Sequence, residues 1–130
     1  MKLDILAFGV HPDDIELGCA GTIIASVHAG KTVAIIDLTR GELGTRGTPE
    51  TRKTEAENAA QVMGIHAREN LEMADGFFHH DDINVRKIIV SIRKYQPEIV
   101  LCNAPEDRHP DHGKAFREGQ RVVCFAFLPG

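Results

Sequence analysis

A chain of 130 residues with 42% hydrophobic and 26% charged residues has the length of one domain and the balance of a soluble globular protein, which excludes a fibrous or disordered chain. Its formal charge of −4, with pI near 5.9 and no Lys/Arg run longer than a pair, excludes an electrostatic nucleic-acid or anionic-membrane surface and points to a small-molecule partner. Cys19, Cys102 and Cys124 are an odd number at distant spacings, so neither a disulfide framework nor a thiolate zinc knuckle is expected, and reduced, buried thiols are. Only Lys2 precedes an N-terminal apolar stretch that Asp4 interrupts, with no cleavage-site pattern after it, and the apolar tail Val122 to Leu128 is shorter than the roughly 20 residues of a membrane span. A cytoplasmic protein is expected.

In chain order, Leu3 to Val10 reads as a buried strand, and the segment after Pro12 carries Ile15, Leu17, Ile23, Ile24 and Val27 at helical spacing up to Gly30. Thr32 to Leu38 is a second buried strand. Arg40 to Pro49 is a glycine-punctuated loop, long for a strand-to-helix connection, and a helix runs from about Glu50 to Met63 with Gly64 as its stop. A weaker extended stretch lies near Leu71 to Met73. Ile83 to Tyr95 has apolar residues at helical spacing, and Pro97 leads into a strand at Ile99 to Cys102. Strands separated by helices predict an α/β fold, a doubly wound and mainly parallel sheet covered on both faces, with its ligand crevice beyond the carboxyl ends of the strands. Residues 1–130 are expected to form one domain.

Two copies of one tripeptide, His11-Pro12-Asp13 and His109-Pro110-Asp111, lie at the ends of two predicted strands, each followed by a further metal-capable residue, Asp14 or His112. Two imidazoles and a carboxylate form the ligand set that leaves a zinc ion one open position for water. Pro12 suits the first turn of a helix, so Asp13 and Asp14 fall at a helix N-terminus, where free N–H groups favour ionised carboxylates. His11 and Asp14, three apart, share one side while Asp13 points elsewhere, so one Asp can ligate and the other act as a base. His109 or His112 supplies the third ligand, and Asp111 between them is placed to hydrogen-bond one imidazole and fix its tautomer. Glu16 is placed on the helix surface or behind the ligands, and Asp107 and Arg108 at the pocket wall or in an exposed ion pair. His79-His80-Asp81-Asp82 has no strand behind it and reads as a polar helix cap, while His28 and His66 read as surface residues.

The stretches Val10-His11-Pro12-Asp13-Asp14-Ile15-Glu16 and Arg108-His109-Pro110-Asp111-His112 resemble the two signature motifs of the LmbE-like, or PIG-L, family of zinc-dependent N-acetylglucosaminyl deacetylases. Asp37 to Thr48, followed by Arg52, is similar to the subgroup that deacetylates N-acetylglucosaminyl-malate in bacillithiol synthesis. The resemblance covers residues 1 to about 115. It implies a Rossmann-like fold with Zn2+ on His11, Asp14 and His112, Asp13 as general base, His109 as electrophile or acid steadied by Asp111, and Arg52 as a substrate-binding residue. Arg46 and Arg52 are expected to pair with an anionic aglycone such as malate, since a guanidinium fork fits a carboxylate. The implied reaction is metal-assisted amide hydrolysis releasing acetate and a free amine.

Two other classes share part of the pattern. Two His and one carboxylate also describe a non-haem Fe2+ oxygenase site, but the adjacent Asp13 favours hydrolysis. A nucleotide-binding module of the same fold lacks support, because no G-x-G-x-x-G follows the first strand and no G-x-x-x-x-G-K-[ST] occurs. The tail from Phe116 to Gly130 departs from the resemblance, whose members continue further. A C-terminally shortened chain is therefore expected, binding zinc, deacetylating poorly and self-associating through uncovered sheet surface.

Overall fold

Strands β1 (Ile5–Gly9) and β2 (Val33–Thr39) are buried at every residue, the mark of central parallel strands covered on both faces. The computed structural model describes residues 1–117. Around these two strands stand α1 (Asp14–His28), α2 (Pro49–Met63), β3 (Ala67–Met73), α3 (Asp82–Tyr95) and β4 (Ile99–Leu101), with a further helical segment at 110–117. The sheet order is β3-β2-β1-β4 with every pairing parallel, which is the doubly wound α/β fold that the alternation of strand and helix predicts.

Alternate strand residues feed two apolar layers. Leu6, Phe8, Ala34, Ile36 and Leu38 pack with Ile88, Ile92 and Tyr95 of α3 and with Phe78. Ile5, Ala7, Val33 and Ile35 pack on the other face with Ile15 and Ile23 of α1 and Met63 of α2. The helices start and stop where their sequences direct. Thr48 caps α2 by accepting from Thr51 N–H ahead of Pro49, and Gly64 ends it in the left-handed conformation at φ 71°. Asp81 caps α3 by accepting from Asn84 N–H, so the His79–Asp82 cluster is the helix cap its setting predicts.

Three expectations are corrected. β3 begins at Ala67, well before the weak signal at Leu71, because this strand is only half covered and carries Arg68, Glu69 and Glu72 where a central strand carries aliphatics. α1 is not one continuous helix; Cys19 takes φ −153° and ψ 25°, next to Gly18, whose low helix propensity weakens the helix at that point. The thiols are free, as expected, but Cys102 is exposed and Cys19 only partly covered, because Cys102 follows a strand with no neighbour on its far side among the described residues. No helix among those residues is long and apolar enough to cross a membrane. The tail expectation, Cys124 included, rests almost entirely on residues 118–130, which lie outside the described residues.

Candidate metal centre

The strand order reverses between β1 and β4, where an open α/β sheet forms its crevice; His11-Pro12-Asp13 leaves β1 there, and His109-Pro110-Asp111 lies after the loop that follows β4, at the start of the helical segment 110–117. Val10, the last residue before His11, is held from both sides. Its carbonyl accepts from Thr39 N–H at 2.9 Å and from Thr39 Oγ1 at 3.0 Å, and its N–H donates to Asn103 Oδ1 at 3.1 Å. The chain then turns at once into α1, with Asp13 and Asp14 N–H groups donating back to the His11 carbonyl at 2.8 and 3.1 Å.

Three side-chain atoms converge beyond this turn. His112 Nε2 lies 3.2 Å from Asp14 Oδ2 and 3.4 Å from His11 Nδ1, and His11 Nδ1 lies 3.7 Å from Asp14 Oδ2. A tetrahedral zinc ion holding nitrogen and oxygen at about 2.0–2.2 Å sets its ligand atoms roughly 3.3–3.6 Å apart. The triangle fits that ion. Of the two histidines left open by spacing, His112 is the one whose ring nitrogen joins His11 and Asp14.

Each imidazole of the triangle sets its other nitrogen against a carboxylate. His11 Nε2 meets Asp75 Oδ1 at 2.9 Å, and His112 Nδ1 meets Asp107 Oδ2 at 2.9 Å. This is the arrangement that fixes tautomer and ring orientation and raises the basicity of a metal-bound imidazole. Asp14 Oδ2 also accepts from His11 N–H at 3.0 Å and from Asn103 Nδ2 at 3.2 Å. Sequence reasoning left Asp107 between the pocket wall and an exposed ion pair, and missed Asp75 and Asn103. Asp75 lies just past the end of β3, on the same edge as the ligands, and the polar composition of that strand concealed it.

The electrostatics follow from these contacts. Burial works against a charged His11, but hydrogen bonds and charges from Asp14 and Asp75 outweigh it and raise its pKa to about 9. Burial likewise opposes ionised Asp14, and the hydrogen bonds of His11 with the charges of His112 and His11 bring it down to about 2. The hydrogen bond to His112 and that from the His109 backbone hold Asp107 below the usual carboxylate range.

Around the ligands stand the remaining candidates. Asp13 does point away from the triangle, its side chain 51% exposed, and its Oδ2 meets Arg52 NH2 at 3.2 Å. Arg52 NH1 also donates to the Gly41 carbonyl at 3.1 Å, so the guanidinium expected to face substrate already has partners within the chain. Arg46 is exposed on the loop before α2. The ring centroid of His109 is 4.7 Å from that of His11 and 5.1 Å from that of His112. The expected bond from the Asp111 carboxylate to an imidazole is replaced by one from its backbone. Asp111 N–H donates to His109 Nδ1 at 3.2 Å, while the buried carboxylate accepts from Gly76 N–H at 2.6 Å and pairs with Lys114 at 3.3 Å. The reason is local: on the helical segment 110–117, Asp111 turns inward toward the loop after β3. An acceptor role for Nδ1 leaves the proton of a neutral His109 on Nε2.

Glu42 Oε2 accepts from Asp75 N–H at 3.2 Å, and its Oε1 is buried without a protein partner. Glu16 lies behind the ligands, paired with Arg68, which also grips Asp37 through two bonds of 2.7 and 2.9 Å. A groove of about 480 Å³ lined by Asp14, Leu101, Asn103, Asp107 and His112 opens the centre to solvent.

A parallel α/β sheet with a two-histidine, one-carboxylate triangle at its switch point defines an α/β protein with a candidate metal site. The chain belongs to the PIG-L family, whose model, described as GlcNAc-PI de-N-acetylase, matches residues 6–123. It is 35% identical over 126 residues to the uncharacterized deacetylase YaiS of Escherichia coli, covering 92% of this chain and 67% of that protein. To diacetylchitobiose deacetylase of Thermococcus kodakarensis it is 31% identical over 135 residues, covering 96% of this chain and 51% of that one. The crystal structure of the conserved protein TT1542 from Thermus thermophilus superimposes with a TM-score of 0.91 at 40% identity, covering 97% of this chain and 57% of that one. The chain thus spans about half to two thirds of the length of these relatives.

Proposed function

We propose that this chain carries the catalytic centre of a zinc-dependent hydrolase that removes the acetyl group from an N-acetylglucosaminyl conjugate. The observation that carries the reading is the triangle of His11 Nδ1, Asp14 Oδ2 and His112 Nε2, with edges of 3.7, 3.2 and 3.4 Å. Family membership and the 31% identity to a diacetylchitobiose deacetylase support the acetylated amino-sugar substrate. The similarity of Asp37 to Thr48 and of Arg52 to the bacillithiol subgroup supports malate as the aglycone, with Arg46, exposed on the loop before α2, as a guanidinium to pair with it. Free thiols at Cys19 and Cys102 fit a reducing, cytoplasmic setting.

A divalent ion held by His11, Asp14 and His112 would supply Lewis acidity and lower the pKa of its water to about 7. The chain's own groups do the rest. Asp13, exposed and at the start of α1, takes the proton of the attacking water, whose oxygen forms the new bond to the acetyl carbon. Arg52, 3.2 Å from its Oδ2, orients Asp13 for this. His109 donates through Nε2 to the oxygen on which negative charge develops. The C–N bond then breaks, the amine nitrogen leaves with the proton held by Asp13, and acetate remains. Asp75 and Asp107 hold the ligand imidazoles.

Acetate release from N-acetylglucosaminyl-malate and from diacetylchitobiose tests the proposal. Release that stops on chelation and returns with zinc supports it. Release indifferent to chelation, or none from any N-acetylglucosaminyl conjugate by zinc-loaded protein, opposes it.

A further inference from the structure

The path of β3 into the metal centre contains an irregularity that the reaction does not explain. β2 and β3 pair in register from Ala34↔Ala67 to Asp37↔Asn70, and the next pairing is Thr39↔Met73. Leu71 and Glu72 therefore stand opposite the single residue Leu38, a β-bulge with one extra residue. Glu72 sits at φ 52°, in the left-handed region that a side chain with a Cβ seldom occupies. Three backbone groups at the bulge are taken up by side chains. Asn70 Nδ2 donates to the Thr39 carbonyl at 2.7 Å, Asn70 Oδ1 accepts from Glu72 N–H at 2.8 Å, and Lys87 Nζ donates to the Leu71 carbonyl at 3.0 Å.

The extra residue decides which way the following side chains face, because a shift of one residue sends each of them to the other side of the sheet. With the bulge in place Met73 enters the core, and Asp75 presents Oδ1 to His11 Nε2 and Oδ2 to Leu43 N–H at 3.0 Å. Gly76 N–H then meets the Asp111 carboxylate. The loop after β3 thus touches the ligand that follows β1, the loop after β2 and the second His-Pro-Asp copy at once.

We propose that Asn70 is a positioning residue of the metal centre: it holds the bulge of β3 closed, and through it aims the Asp75 carboxylate at the distal nitrogen of His11. It acts without touching the metal or the substrate. The inference rests on the reading of His11 as a metal ligand. Residues such as Asp75 that orient a ligating imidazole typically change metal affinity about 10–100-fold when lost, and Asn70 is expected to reproduce part of that loss from further away.

Zinc affinity, measured by competition with a chromophoric chelator, and the downfield Nε2–H resonance of His11 in 15N-labelled, metal-free protein test this together. In Asn70→Ala the affinity should fall about tenfold and the resonance should weaken or vanish, as in Asp75→Ala. Glu72→Gly alone should leave both unchanged. In the double variant it should recover part of the loss, since glycine takes a positive φ without strain. Asn70→Asp, which keeps the acceptor for Glu72 N–H but sets an oxygen against the Thr39 carbonyl, serves if the alanine variant does not fold, and should show a smaller loss of both. Wild-type affinity and an unchanged His11 resonance in a folded Asn70 variant overturn the proposal, however far its urea midpoint moves. Wild-type protein that binds no zinc overturns the metal reading instead, and the resonance then judges Asn70 alone.

Discussion

Arg52 reaches Asp13 across Gly41: NH2 lies 3.2 Å from Asp13 Oδ2, NH1 donates to the Gly41 carbonyl at 3.1 Å, and a Cβ on Gly41 would stand 1.8 Å from NH1. The guanidinium and the glycine fit each other, and Gly41 also has φ +64°. Gly41→Ala should therefore push Arg52 off Asp13 and add a backbone cost of about 1 kcal/mol. Acetate release should drop while zinc content after dialysis stays at the parent level. Unchanged turnover would separate Arg52 from the action of Asp13.

Asp13→Asn keeps the size of the side chain and removes its capacity to take a proton. Turnover should fall by at least about 10²-fold, the scale for losing a general base, with zinc retained. His109→Ala should behave alike, because its ring lies beside both ligand imidazoles without belonging to the triangle. Zinc loss in Asp13→Asn, read by elemental analysis, would make Asp13 a ligand.

The two outer carboxylates should not be equal. Asp75 is buried with its side chain only 6% exposed, whereas the Asp107 side chain is 36% exposed, where water screens the interaction. Asp75→Ala should weaken zinc binding about 10–100-fold, and Asp107→Ala by less. Chelator competition on the two variants ranks them, and a reversed order would contradict the roles drawn from burial.

Zinc binding should be pH-dependent through His11. With no cation bound its pKa is about 9, so below that pH the ion must displace a proton from the imidazole. Affinity should rise by about tenfold per pH unit from neutrality toward pH 9 and then level off. Calorimetry at pH 7 in buffers of differing ionisation enthalpy should register proton release. The sign is set by His11 being raised: its protonated form stabilises the metal-free fold fully below its unfolded value, and that stabilisation is lost as pH rises through about 9. Asp14 acts oppositely, stabilising above its unfolded value and losing this only as pH falls toward about 2.

Much of this architecture is readable in the chain. β1 and β2 announce themselves because central parallel strands are apolar throughout, and α2 and α3 carry Thr48, Gly64 and Asp81 at their ends. His11, Asp13 and Asp14 are readable because they follow directly on such a strand. β3 is not, since an outer strand holding Arg68, Glu69 and Glu72 has neither an apolar run nor clean alternation, and its bulge breaks the period. Asp75 stayed hidden with it. The partners of Asp111 and Arg52 were equally beyond reach, because each depends on a residue far along the chain, Gly76 in one case and Asp13 in the other.

The central claim is that His11, Asp14 and His112 together hold one zinc ion, and elemental analysis of dialysed protein addresses it most directly. The wild-type chain should retain about one zinc per molecule, and His11→Ala, Asp14→Ala and His112→Ala should each retain little, because a three-ligand site loses geometry as well as charge when one ligand goes. Full zinc occupancy in His112→Ala would contradict the account.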